Sequence, residues 1–309
     1  MLIYMAPMEG MSGYVFRRAY HRRFGGIDRY FTPFLANKKL SSRERNDILP
    51  EHNEGMELVP QILANRAEDF LAIAKELAAF GYKTVNLNLG CPSGTVVARG
   101  RGAGFLEFPN RMDMFLAELF EKCPLQISVK TRIGKDVPEE WEELQQVYDK
   151  YPLEELIIHP RVQRDYYKNT PNMEVFGQAA ISCRHSLCYN GDICTPQDYA
   201  DFTAAFPQIG KVMIGRGIFK NPALIGMIRR QAQATKEELL AFHQDVLEGY
   251  LAVLSGDKNT LFKMKEWWVY FAEAFTNAAT YSKKIKKAGT VREYQTVVES
   301  LFREQELVI

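Results

Sequence analysis

Several short segments of the chain bring reactive side chains together at close spacing. Asn88 and Cys91 share the turn Asn-Leu-Gly-Cys-Pro, an amide and a thiol three residues apart. A thiol of ordinary pKa is protonated at neutral pH and can give up a proton, which makes Cys91 a candidate general acid. Lys130 and Arg132 flank Thr131, and His159 and Arg161 flank Pro160. Cations so placed stabilise negative charge on a bound group, although a lysine also suits a salt bridge and a lone histidine is more often a satisfied core residue. Asn190-Gly191-Asp192 and Gly215-Arg216-Gly217 combine polar side chains with backbone able to approach an anion, a phosphate-binding pattern that ordinary turns share. Cys123, Cys183, Cys188 and Cys194 have no such polar context and fit inert packing. Cys183, His185, Cys188 and Cys194 lack the paired spacing of a zinc site, so no metal is expected.

What aligns these groups is their place at strand ends. Short apolar runs predict eight strands over residues 2–6, 27–34, 58–62, 84–89, 126–131, 155–159, 186–189 and 211–214. Helical patterns lie between them at 14–24, 67–80, 111–122, 139–150, 172–180 and 196–205, with another at 223–231. Residues 35–57 read as a long charged loop. Eight strand–helix units over ~235 residues point to a (β/α)8 TIM barrel, with an open doubly wound sheet as the competitor. In a barrel, function collects at the carboxyl ends of the strands. Pro7-Met8, Gln61, Asn88, Cys91, Lys130, His159, Asn190, Asp192 and the Gly215–Gly217 turn all fall there. The loops after strands seven and eight commonly hold phosphate in this fold, with a short helix expected to start near Pro222.

From residue 235 onward only helices are predicted, over 236–255, 261–276 and 291–304, so the expected domains are 1–234 (barrel) and 235–309 (small, all-helical). Residues 261–292 hold seven Lys/Arg against two acids, a net of +5, together with Trp267, Trp268, Tyr270, Phe271 and Tyr281. This pattern fits a solvated face over an aromatic core stripe. It also fits an RNA-backbone surface with stacking platforms, led by Lys283, Lys284, Lys286 and Lys287. Arg17, Arg18, Arg22 and Arg23 form a second basic cluster with the same two readings.

The chain has 309 residues, a formal net charge of +1 and 46% apolar residues. That composition excludes disorder and a globally basic nucleic-acid coat. Five cysteines without paired spacing suit a reducing compartment. The start, Met-Leu-Ile-Tyr-Met-Ala-Pro, is not that of a signal peptide, and no apolar run is long enough for a membrane helix. The expectation is a cytoplasmic protein without a membrane role.

Together the motifs resemble the tRNA-dihydrouridine synthase family: Ala-Pro-Met-x-Gly near the start, Asn88-x-Gly90-Cys91-Pro92 with Gly102 and Gly104 following, Val129-Lys130-x-Arg132, His159-x-Arg161 with Tyr167, Asn190-Gly191-Asp192, Gly215-Arg216-Gly217 and the helical tail. The resemblance implies an FMN enzyme, reduced by transiently bound NADPH, that saturates the C5–C6 bond of particular uridines in tRNA. It implies flavin-site positions at Pro7, Met8, Gln61, Lys130, His159, Asn190, Asp192, Gly215, Arg216 and Gly217. Asn88 and Arg161 match substrate positions, and Cys91 the proton donor to C5. The target base must leave its stack to reach such a site. Gly13, Val97 and Gln163 depart from the commoner pattern, and the last two bear on substrate contact. A flavin barrel acting on a free pyrimidine or other small unsaturated molecule is the competing enzyme reading, and a non-catalytic RNA-binding barrel the competitor from another class.

Overall fold

The computed structural model describes residues 1–229 and 233–309. All its strand pairs are parallel, and their order closes on itself. The strands are β1 (Leu2–Met5), β2 (Arg29–Phe31), β3 (Leu58–Val59), β4 (Gln61–Ile62), β5 (Thr84–Leu89), β6 (Gln126–Gly134), β7 (Leu156–Val162), β8 (Leu187–Tyr189) and β9 (Lys211–Ile214). The sheet runs β3-β2-β1-β9-β8-β7-β6-β5-β4. Its two outer members are one stretch of chain broken at Pro60, which has no N–H to give to a ladder. The nine segments are therefore the eight staves of the expected barrel.

Around it lie α1 (Tyr14–Arg23), α2 (Ser42–Ile48), α3 (Ala67–Ala79), α4 (Gly94–Val97), α5 (Pro109–Lys122), α6 (Trp141–Tyr148), α7 (Met173–Ser182), α8 (Pro196–Ala205), α9 (Arg216–Lys220) and α10 (Leu224–Ile228). The tail adds α11 (Lys236–Val253), α12 (Asp257–Phe271), α13 (Ala278–Lys287) and α14 (Val291–Glu304). Helix α3 shows the construction. Phe70, Ile73, Ala74 and Leu77 are buried on one face, and Gly81, at φ +90°, follows its end.

Four expectations are corrected or refined. Residues 35–57 contain α2, started by a Ser41–Glu44 capping box. A short helix does begin near Pro222, at Leu224, but the one that follows the Gly215 turn directly is α9, from Arg216. The predicted tail segment 261–276 begins earlier, at Asp257, and α13 was not predicted at all. Residues 230 and 231 of the predicted helix 223–231 lie outside the described residues. Among the described residues no helix is long and apolar enough to cross a membrane.

The tail does not stand apart. Phe16 of α1 stacks on Phe219 at 4.6 Å and meets Phe242 and Trp267 edge-on at 5.5 Å, so barrel and tail share one apolar core. Inside the barrel a separate layer consists of Tyr4, Ala6, Phe31, Val59, Ile157, Cys188 and Met213. Strand side chains alternate with period two. The inward residues one step above this layer are Gln61, His159, Asn190 and Gly215, and Asn88 and Lys130 sit opposite each other in register. An apolar plug thus carries a polar rim.

Candidate functional site

The rim opens into a cavity of about 400 Å³ lined by residues from every side of the barrel. It brings together Pro7, Met8, Gln61, Asn88, Cys91, Lys130, His159, Asn190, Asp192, Gly215 and Arg216. Two expected site residues do not line it. Gly217 packs beneath, where a Cβ would lie 2.3 Å from the Ile193 carbonyl. Its lack of a side chain serves backbone packing rather than approach to an anion. Arg161 is buried behind His159 and is occupied there: Nε donates to Asn169 O at 2.5 Å, and Nη1 and Nη2 reach Asp192 at 3.0 and 2.5 Å.

The Cys91 loop is held by side chains of neighbouring strands. Asn88 Oδ1 accepts from the backbone N–H groups of Gly90 (3.0 Å) and Cys91 (2.8 Å). Its Nδ2 donates to Gln61 Oε1 at 2.7 Å, Gln61 Nε2 to Asn86 Oδ1 at 2.7 Å, and Asn86 Nδ2 to Ser128 Oγ at 2.8 Å. This chain of amides leaves Asn88 one free N–H. Gly102, at φ +55°, lies against Cys91, where a Cβ would come within 2.8 Å of the Cys91 carbonyl. Gln163 Nε2 donates to Pro92 O at 3.1 Å, so this departure from the family pattern braces the loop. Burial raises the Cys91 thiol above its usual pKa, Glu9 adding to the effect and Arg132 and Lys130 opposing it. The thiol is therefore protonated at neutral pH.

Beside this loop stands a cationic wall. Burial, with Arg132 nearby, lowers Lys130 to about 8, and the groups that favour its charge are the thiols Cys188 and Cys91, with no carboxylate among them. Lys130 is half-buried, and an ammonium so desolvated, without a counter-ion among the described residues, is poised for an anionic ligand. Arg132 donates to Gly90 O, Val162 O and Tyr166 O at 3.0, 2.8 and 2.7 Å, tying the loop after β5 to the end of β7 and the segment that follows it. Burial lowers His159 well below 6.5, helped by Arg132, Lys130, Arg161 and Arg216, so its ring is neutral. Arg161 Nη1 lies 3.0 Å from His159 Nε2. Because a guanidinium only donates, Nε2 accepts and the ring proton belongs on Nδ1. Burial pushes Asp192 up, but Arg161 and Arg216 outweigh it and hold the carboxyl below its usual value. Arg216 pairs with the same carboxylate and lies 4.9 Å over the Tyr167 ring. Gly215 leaves a recess in which a Cβ would sit 3.3 Å from Ala6 Cβ and 3.4 Å from Met8 Sδ.

The sequence did not single out Glu9, Met11 and Phe34, and above all Glu266 and Val269 of α12, which line the cavity beside Tyr270. The i, i+3, i+4 spacing of these last three was the available signal for a second functional face. On the tail, Trp267, Trp268, Phe271 and Tyr281 are buried. Those four are core rather than stacking platforms, and only Tyr270 reaches the cavity. Lys283, Lys284, Lys286 and Lys287 are exposed. The α1 cluster is divided: Arg17 is buried on Asn53 and Asp47, Arg22 and Arg23 share Asp245, and Arg18 is exposed.

A profile of the family described as dihydrouridine synthase (Dus) matches residues 4–308. The probable tRNA-dihydrouridine synthase 2 of Bacillus subtilis strain 168 is 28% identical over 260 residues, covering 80% of this chain and 78% of that protein. The probable tRNA-dihydrouridine synthase of Staphylococcus aureus strain COL is 28% identical over 265 residues, covering 81% and 76%. Among solved structures, morphinone reductase superposes with a TM-score of 0.51 at 13% identity, covering 76% of this chain and 87% of its own. The old yellow enzyme homologue from Zymomonas mobilis gives 0.52 at 9% identity, covering 76% and 90%. These two share the fold.

Proposed function

The chain belongs to the dihydrouridine synthase family, and on that premise we propose that it reduces the C5–C6 double bond of a uridine in tRNA, using FMN reduced by NADPH and Cys91 as the proton donor. The observation that carries this reading is the single cavity faced both by a protonated thiol on its loop and by a half-buried lysine without a carboxylate partner among the described residues. The residues suit a flavin. Lys130 offers a cation to the anionic edge of a reduced ring, Arg216 and the Gly215 recess suit its phosphate arm, and Pro7 and Met8 border the same space. When bound there, the flavin supplies the hydride to C6.

The protein's own part is position and the proton. Lys130 stabilises negative charge in a site sheltered from water. His159 presents Nδ1–H because Arg161 occupies its other nitrogen. Asn190 Nδ2 donates to Met213 O at 2.8 Å, which fixes the β8 end beside Gly215. Asn88 holds the Cys91 turn and keeps one N–H for a uracil carbonyl. Cys91 delivers its proton to C5 as charge develops there, on the face opposite the hydride. Arg161 acts through His159 and Asp192 rather than on the base. The exposed lysines of α13 attract the RNA backbone. A tRNA substrate and five free thiols suit work in the cytoplasm.

The test is to reduce the FMN-loaded protein anaerobically and add tRNA lacking dihydrouridine. Rapid reoxidation with appearance of dihydrouridine is expected, and slow reoxidation by free uridine. Equal rates with free uridine or a small enone would establish the small-molecule reading instead.

A further inference from the structure

Helix α12 belongs to the tail, yet its side chains grip both barrel segments that border the cofactor cavity. Lys263 Nζ donates to the Gly10 carbonyl at 2.9 Å, at the end of the loop that carries Pro7 and Met8. Glu266 lies 3.3 Å from the same ammonium. It packs so tightly on Gly10, which has φ +80°, that a Cβ there would fall 2.4 Å from its carboxylate. One turn beyond Lys263, Trp267 donates its Nε1–H to Phe219 O at 3.1 Å, within the short helix that follows Gly215. Glu273 pairs with Lys220 of that helix at 2.6 Å. Residues four apart share one helical face, so Lys263 and Trp267 reach the two segments from a single side. Lys265 turns elsewhere: its Nζ donates to Lys286 O at 3.1 Å and Ala288 O at 2.5 Å, capping α13.

We propose that α12 is the positioning element of the cofactor site, with Lys263 and Trp267 bracing the β1 loop and the β9 turn where the two leave the sheet side by side. This rests on the flavin reading above. Ala6 N donates to Ile214 O at 2.9 Å, and just beyond this last ladder bond Pro7, Met8, Gly215 and Arg216 border the cavity together. The ladder fixes the strand ends, and α12 fixes the loop and the turn that run on from them. Cofactor affinity therefore depends on tail residues that need not touch the cofactor.

The experiment titrates FMN into the apo-protein and follows flavin fluorescence, with thermal unfolding measured alongside. Lys263→Met should raise the FMN Kd roughly 5–20-fold, the scale of one hydrogen bond from a charged donor. Lys263→Arg keeps a donor and should return Kd to within about twofold of wild type. Trp267→Phe keeps an aromatic ring beside Phe271, which lies 4.6 Å from the indole, and loses the N–H together with part of the indole's packing, so it should move Kd in the same direction and also lower the unfolding temperature. Lys265→Met, two residues away on the same helix, should leave Kd unchanged. An unaltered Kd in Lys263→Met overturns the proposal. So does an equal rise in Lys265→Met, which would mark a general loosening of the tail. Wild-type protein that takes up no FMN would overturn the flavin reading, and this inference with it.

Discussion

The barrel rim and helix α13 both gather cations, and they hold them in opposite ways. At the rim, Arg132 gives its guanidinium to three carbonyls, and Arg161 and Arg216 share Asp192. On α13, Lys283, Lys286 and Lys287 are exposed without a carboxylate partner among the described residues, and Lys284 lies 4.6 Å over the Tyr281 ring. Cations whose directions are fixed by carbonyls and a carboxylate can place a particular ligand. Solvated ammonium groups on flexible stems answer to charge density and carry no base information. On the function proposed above, the rim is built for chemistry on one base and α13 for attraction to any phosphate backbone. Each prediction below presses on that division.

The largest effect belongs to the rim. Cys91→Ala removes the proton donor without touching Lys130 or the Gly215 recess. It should keep FMN and its reduction by NADPH and lose uridine reduction by roughly 10²–10⁴-fold, the usual range for one general acid. Cys91→Ser fits the space but is a poorer acid, so its activity should also stay low. Reoxidation of reduced protein by tRNA measures both. Near-wild-type reoxidation in the Ala form would leave the thiol a packing group and remove the chemical half of the comparison.

Next comes α13. Replacing Lys283, Lys284, Lys286 and Lys287 together by Ala should weaken tRNA binding on the order of 10–10²-fold at low salt and flatten its salt dependence. FMN affinity should not move. Filter binding across a salt series reads the first effect and flavin titration the second. If tRNA affinity is unaltered, α13 is structural and RNA is held elsewhere.

The rim was legible because period-two alternation puts four of its residues directly above an apolar one: Val59 below Gln61, Ile157 below His159, Cys188 below Asn190, Met213 below Gly215. What escaped had no such local pattern. Helix α2 is polar at every position but Ile48, and its one clear signal was the pair Ser41 and Glu44. Helix α13 buries only Tyr281 and Ile285, too few positions for a periodic stripe. The α12 wall escaped because its contacts with Gly10 and Phe219 join residues far apart in sequence. The depth of Arg161 was hidden likewise, since spacing puts it on the face of His159 without showing that Asp192 would claim it.

A third effect is pH dependence at the rim lysine that lacks a counter-ion among the described residues. Lys130 titrates near 8 in the fold and near 10.5 in the unfolded chain. Between those values the unfolded chain keeps a proton that the folded one has released, so apo-protein stability should rise with pH across this window. An anionic ligand favours the charged amine, so FMN affinity should fall over the same range. From pH 7 to pH 9 the loss is about tenfold if only the charged form binds. Thermal unfolding and FMN titration against pH measure the two trends, and Lys130→Met should flatten both. A flat FMN profile in the wild type would show that Lys130 does not meet the charge of the ligand.

The smallest effect is the one that tests whether clustered cations mean the same thing wherever they occur. In sequence, Arg22 and Arg23 look as promising for RNA as the α13 lysines. In the fold they face Asp245 of α11, with nitrogen–oxygen distances of 3.1 and 2.6 Å. They belong to the seam where α1 and α11 pack, and their charge is already answered. Because Arg22 is largely exposed, each pair contributes roughly 0–1 kcal/mol and weakens with salt. The double variant Arg22→Ala/Arg23→Ala should therefore lower the unfolding temperature slightly, and less at high salt. It should leave tRNA affinity within about twofold, because cations already neutralised release few counter-ions from RNA. A loss of tRNA affinity as large as that of the α13 variant would mean that both ion pairs open when RNA binds. Arg22 and Arg23 would then join the RNA surface, and the contrast between answered and unanswered charge would no longer separate what binds from what only braces.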